Sequence, residues 1–272
     1  MGTHTEFRSI TGEEEQQPTR VANEAQSQTL RSAATELAAT LSWLPGTSAS
    51  DLFVKRCRAL LASFKSMLGE VEAAYSKTPG SEDLLWLRTN AQQLSSSARQ
   101  VASDLEPLND LPVVSDKSEI VPRVLAIAQA CLDETDTALT KTLFTEFCLI
   151  FEETTPLEYH EIGALLPALK LVLLEEVAGR AGELLKNPEN KSAKRVVPYI
   201  RIFQHVTQTS WKDELESLIP FDGILREDPV GAYAAMNLES RNVYRETVAR
   251  LAHRSDLSEL EIAKEALKLA RQ

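Results

Sequence analysis

Residues 81–105 read SEDLLWLRTNAQQLSSSARQVASDL, and their apolar positions decide the fold class. Leu87, Ala91, Leu94, Ala98, Val101 and Leu105 fall at steps of four and three residues, an a/d seam in which large and small side chains alternate. Only a helix places such a series on one side. Ser81 offers a side-chain oxygen to the first backbone N–H groups, and Glu82 and Asp83 put negative charge in the first turn. Upstream, Thr78-Pro79-Gly80 breaks a second helical pattern that opens at Ser50 or Asp51 and ends near Lys77. Its stripe is Leu52, Phe53, Leu60, Leu61, Phe64, Met67, Leu68, Val71 and Tyr75. At 1.5 Å per residue that helix is about 40 Å long, and a three-residue break between two long helices folds them back antiparallel. The expected element is an extended helical hairpin.

Working outward, Leu30 to Leu44 forms one more amphipathic helix, ended by Pro45-Gly46, and residues 1–28 read as a flexible tail. The 29–106 unit closes at residues 107–118, a Pro-, Asp- and Ser-containing linker, and residues 119–272 form a multi-helix bundle. Helices are expected over Glu119–Leu132, Asp136–Glu152, Glu158–Lys186, Ala193–Thr209 and Ser210–Arg226, followed by a turn at Asp228-Pro229 and two more helices. Pro167 and Pro198 should kink or divide their helices. The last helix opens with a capping box from Ser258 to Glu261 and is still helical in pattern at Gln272. The fold class is all-α, a long antiparallel hairpin followed by a helical bundle.

Composition agrees and narrows function. Glycine is scarce at 10 residues and aromatics make up 6%, so strands have little to be built from. A net charge of −11 repels a phosphate backbone, so no nucleic-acid partner is expected; the small basic cluster Lys191, Lys194 and Arg195 reads as a solvated helix start. Cys57, Cys131 and Cys148 sit in apolar helical patterns without CxxC spacing, the usage of buried, reduced thiols. The first residues show no signal peptide. The longest apolar stretch, Ala164 to Leu174, is interrupted by Lys170, which is too short and too charged to cross a bilayer.

Reaction chemistry is missing. A divalent cation that carries a sugar nucleotide's diphosphate needs closely spaced carboxylates, and the chain has no Asp-x-Asp and no Gln-x-x-Arg-Trp. Asp133-Glu134-Thr135-Asp136 has the wrong offsets for carboxylates on one helix face and reads as cap and turn residues. His4, His160, His205 and His253 are scattered, and His160-Glu161 reads as a helix start. No catalytic residue, metal ligand or cofactor-binding residue is assigned.

One stretch carries more information. Asp228-Pro229-Val230-Gly231-Ala232-Tyr233-Ala234-Ala235-Met236-Asn237-Leu238-Glu239-Ser240-Arg241-Asn242-Val243-Tyr244-Arg245, with Trp211 upstream and Ser258-Glu259 downstream, resembles the region preceding the membrane domain in the cyclic β-1,2-glucan synthase family. The family pattern is DPxGxYxxMDFxTRDxYR; Asn237, Leu238 and Asn242 stand where the family has Asp, Phe and Asp. The residues themselves read structurally. Pro229 fixes a turn after Asp228, Gly231 permits an unusual backbone angle, Tyr233 and Met236 pack the turn onto the next helix, and Asn237 caps that helix. Arg241 and Arg245 share a face, where they pair with acids such as Glu239 or contact a neighbouring domain; Tyr244 lies between them.

The resemblance implies a parent enzyme that polymerises and cyclises glucose from UDP-glucose, with its membrane transferase domain and a phosphorylase-like domain downstream. This chain would then be a non-catalytic segment on the cytoplasmic side of the inner membrane, with that transferase domain of the same polypeptide as its partner. The competing expectations are a free-standing helical interaction module and, more weakly, a small helical enzyme.

Overall fold

The computed structural model describes residues 17–116, 119–187 and 195–271. Its all-α architecture holds twelve α-helices among those residues, with one small three-stranded sheet. The first helix, α1, spans Gln17–Thr40 and so reaches back beyond Leu30; residues 1–16 of the expected tail lie outside the described residues.

The hairpin is α2, Ala49–Lys77, and α3, Glu82–Leu105. Ser48 caps α2 rather than Ser50 or Asp51, its side chain accepting from Asp51 N, and Ser81 caps α3 by accepting from Leu84 N. The pairing is antiparallel at both ends. Arg88 Nε donates to Glu72 Oε2 at 2.7 Å beside the turn, and Ser50 Oγ donates to the Glu106 carbonyl at 2.7 Å at the open end. All six seam residues of α3 are buried. On α2 the buried series is Phe53, Cys57, Leu60, Phe64, Met67, Val71 and Ala74, so small Cys57 and Ala74 complete a heptad seam that a search for large side chains leaves gapped.

The strands are a correction. Strand β1, Ser42–Trp43, pairs with β2, Val113–Asp116, which pairs with β3, Glu119–Pro122, all antiparallel. The segment read as linker therefore contains a strand, and the helix expected from Glu119 starts only at Arg123. The physical reason is local: Val113, Val114, Ile120 and Val121 are β-branched and lie in the paired strands, and Pro122 ends the ladder at a position suited to a helix entry.

Beyond the sheet come α4, Arg123–Thr135, a 3-10 turn at Asp136–Ala138, and α5, Lys141–Glu152, capped by Thr140. Helix α6, Tyr159–Lys186, is the central post, buried on most of its circumference and packed against α2, α3 and α4. It runs on through Pro167, which does not divide it. Pro198 sits in the first turn of α7, Val197–Gln208, where its missing donor has no partner to lose; the Lys191 and Lys194 reading and the expected start at Ala193 lie outside the described residues. Arg195, expected to be solvated, forms an exposed ion pair with Glu82.

The helix expected over Ser210–Arg226 is broken in two, α8, Lys212–Ser217, and α9, Asp222–Leu225. Pro220 lies in the break and cannot supply the N–H that a continuous helix needs. Three helices complete the described chain: α10, Ala232–Ala235, α11, Leu238–His253, and α12, Glu259–Ala270. One hydrophobic core extends from Leu30 of α1 to Ala263 of α12 and contains all three free cysteines. Burial pushes their thiols up, Cys57 to about 11, away from the thiolate form that reacts.

Candidate functional site

The break after α8 has a consequence for charge. It turns Glu216, at the end of α8, and Asp222, at the start of α9, toward one point, and Arg245 of α11 enters between them. Arg245 is 1% exposed and uses its whole guanidinium. Nη2 donates to Asp222 Oδ1 at 2.6 Å and to Glu216 Oε1 at 2.7 Å, Nε donates to Asp222 Oδ1 at 3.0 Å and to the Tyr233 hydroxyl at 3.2 Å, and Nη1 donates to Asn242 Oδ1 at 2.9 Å. Tyr233 Oη in turn donates to Asp222 Oδ1 at 2.6 Å. Arg226 holds the other Asp222 oxygen at 2.6 Å, and Arg241 holds Glu216 at 2.9 Å.

The electrostatics follow from burial and partners. Burial alone would raise Asp222, but hydrogen bonds from Tyr233, Arg245 and Arg226 outweigh it and hold the carboxyl below its usual value. Burial and the neighbouring Asp222 carboxylate push the Tyr233 hydroxyl up, so it remains a proton donor. For Arg245, the hydrogen bonds it donates to Glu216 and Asp222 overcome desolvation and keep it cationic. A carboxylate fixed in its ionised form by three donors is a poor proton carrier; this cluster fastens α8, α9, α10 and α11 together.

The residues singled out in sequence sort clearly. Asp228 accepts from the backbone N–H of Val230, Ala232 and Tyr233, and its carbonyl accepts from Gly231 N at 2.9 Å, which closes a turn with exposed Pro229 in its second place. Gly231 is left-handed, with φ +69°. Met236 is half-buried where α10 ends, and Asn237 caps α11 by accepting from Ser240 N at 2.8 Å. Tyr244 is half-exposed, its ring edge-on to Tyr233 at 6.0 Å. Trp211 lies apart, buried, donating from Nε1 to the Val206 carbonyl at 2.9 Å and meeting Phe144 edge-on. The structure thus brings together Asp228, Tyr233, Asn237, Arg241, Tyr244 and Arg245, and leaves Trp211 in the core below α5. Arg241 and Arg245 pair with Glu216 and Asp222, not with Glu239. Glu239 lies on the same helix two residues before Arg241, on a different face.

Sequence reading missed Glu216, Asp222 and Arg226 as partners. The signal that could have found them was Pro220, which disfavours one helix through both acids. It also missed Arg123, whose guanidinium is paired with Glu161, a residue read only as part of a helix start. The acids at 133–136 are local: Asp133 accepts from Gln129 Nε2 at 2.8 Å, and Asp136 ends α4 with φ 46° and accepts from the Tyr199 hydroxyl.

Next to the cluster lies a cleft of about 610 Å³ between α6, α11 and α12. His160 faces Glu246 across its mouth at 3.0 Å. Among the described residues, no group of three or more His, Cys, Asp or Glu is placed to hold a metal ion, and no helix is long and apolar enough to cross a membrane.

Fold and site together define a helical bundle whose C-terminal third is locked by an internal ionic junction. No protein-family profile matches the chain. It is similar to the cyclic beta-(1,2)-glucan synthase NdvB of Rhizobium meliloti (strain 1021), 22% identical over an alignment that covers 79% of this chain and 10% of that protein. The relationship is distant, and the chain spans about a tenth of the length of the curated relative.

The Gly231 turn gives a direct test of the local geometry. A Cβ there meets nothing within 4 Å, so Gly231→Ala carries no clash and only the left-handed backbone penalty. We expect a loss of about 1 kcal/mol, read as a lowered urea midpoint at unchanged m-value.

Proposed function

We propose that this chain is a non-catalytic helical segment of a glycosyltransferase of the cyclic β-1,2-glucan synthase kind, which makes its glucan from UDP-glucose. Its role is to support and dock the membrane transferase domain of the same polypeptide from the cytoplasmic side of the inner membrane. The observation that carries this reading is where the polar groups of the motif go. Asp228, Tyr233, Asn237 and Arg245 spend them on one another and on Glu216, Asp222 and backbone N–H groups, as a structural module does. The similarity to about a tenth of a glucan synthase supports the context.

The test is deletion of Ser210–Gln272 from the full-length synthase. Membrane-domain abundance and glucan polymerisation should both fall, while the purified segment with UDP-glucose transfers no sugar. Unchanged abundance and polymerisation would sink the docking role, and sugar transfer by the segment alone would replace it with an enzyme. A coding frame that stops after residue 272 would favour a free-standing scaffold.

A further inference from the structure

Seven of the twelve large apolar side chains exposed among the described residues lie from Val230 onward, and three of these share one face of α11. Val243 is 66% exposed, Tyr244 50% and Leu251 49%. At about 100° per residue, Ser240, Val243, Tyr244, Thr247, Leu251 and Arg254 all fall within about 60° of one direction, centred on Thr247. The opposite side carries buried Arg245, Val248 and Ala249, which hold α11 to the bundle. A surface helix that packs on one side carries polar and charged residues on the other. Here the middle of the outer face is apolar. The Thr247 hydroxyl already donates to the Val243 carbonyl at 2.8 Å, so Thr247 brings no unmet donor to a contact.

The charges along the helix are ordered. Glu239 lies at its start, Glu246 at its middle, and Arg250 and Arg254 at its end, all on one flank of the apolar strip. Among the described residues the side chains of Glu239, Arg250 and Arg254 have no partner, whereas eleven other arginines are ion-paired to acids of this chain. Glu246 is 53% exposed beside His160 and stays open to a second cation.

A second copy of α11 laid antiparallel across the first, with Thr247 at the crossing, answers both features. Two-fold symmetry about that point sets Val243 level with the partner's Leu251, and Tyr244 beside the same leucine. On the charged flank it sets Glu239 beside the partner's Arg254, and Glu246 beside the partner's Arg250. Parallel pairing would instead stack acid on acid and arginine on arginine. We propose that the chain forms a two-fold homodimer through the outer face of α11, with the two helices antiparallel and crossing at Thr247. Three apolar side chains per copy make a small contact, at the transient end of protein interfaces, so half-dimerisation falls at about 10–100 µM.

Sedimentation equilibrium of the whole chain from about 5 µM to about 1 mM tests this. The wild type should show a monomer–dimer equilibrium. Leu251→Glu, at an exposed position, should weaken it roughly tenfold or more with the urea midpoint unchanged. Glu239→Arg and Arg254→Glu should each weaken it roughly two- to fivefold. Both together in one chain should restore it, since the two positions lie about 22 Å apart on one helix and can meet only between copies. Thr247→Cys should give a disulfide-linked dimer under oxidised glutathione, the three native cysteines being buried. In the same assay Ser240→Cys should link to Arg254→Cys in a mixture and not to itself. A dimer indifferent to Leu251→Glu, no rescue by the charge exchange, or self-linking of Ser240→Cys would each overturn the pairing. So would a monomer at every concentration, which would leave the face to a different protein domain.

Discussion

Arg245→Ala is expected to cost about 3–5 kcal/mol of folding stability, the range for removing one member of a buried ion pair. The side chain is 1% exposed, and its loss leaves Asp222 and Glu216 facing each other at side-chain exposures of 8% and 16%. Arg226 and Arg241 remain, Arg226 at the other oxygen of Asp222 and Arg241 at Glu216, but neither donates to Asp222 Oδ1, the oxygen that Arg245 holds through both Nε and Nη2. Arg245→Lys should recover only part of the loss, since one ammonium nitrogen cannot occupy the separate positions from which Nε, Nη1 and Nη2 donate. Adding Asp222→Asn to Arg245→Ala should restore stability relative to the single variant, because the uncompensated buried charge is what costs. Urea denaturation of the set measures this; a loss under about 1 kcal/mol for Arg245→Ala would mean the junction is solvated.

The same junction gives an acid-side signature. Asp222 is held below its ordinary value in the fold, so its contribution is present above about 3.8 and is lost as pH falls through the lower folded value. The gap between wild type and Arg245→Ala should therefore narrow in strong acid and stay constant near neutrality.

How much of this was legible depends on whether the signal was local. The hairpin was legible because a heptad seam is a property of sequence alone, and capping serines with Pro-Gly breaks mark its ends. The strands were not, since four-residue β-branched pieces in a Pro- and Asp-rich setting look like linker until they find each other. The Asp228–Arg245 stretch was recognisable as a unit, and its turn and cap geometry was readable residue by residue. Its partners were not, because Glu216 and Asp222 reach Arg245 only after the chain breaks at Pro220, and nothing in helical spacing says which acid an arginine meets across a tertiary contact. Choosing Glu239 for its sequence proximity was the natural error.

A second buried pair should respond as strongly. Glu161 is fully buried and does two jobs: Oε2 accepts from the Glu158 N–H at 3.0 Å in the capping box of α6, and the carboxylate is paired with Arg123, whose Nε donates to Oε1 at 2.8 Å. Glu161→Ala therefore leaves a 13%-exposed guanidinium with only the Pro156 carbonyl, at 3.2 Å, and frees a helix-start donor. The expected cost is about 3–5 kcal/mol. Arg123→Ala should cost about as much by the opposite route, leaving an unpaired buried carboxylate. The two losses should not add. Once either partner is gone, removing the other relieves an unpaired charge, so Arg123→Met with Glu161→Met should fall well short of the sum and lie near the wild type, the capping donor excepted. A double-mutant cycle in urea reads the coupling directly. Additive losses would mean that the pair is two independent packing contacts, and that α4 and α6 are held by the apolar core alone.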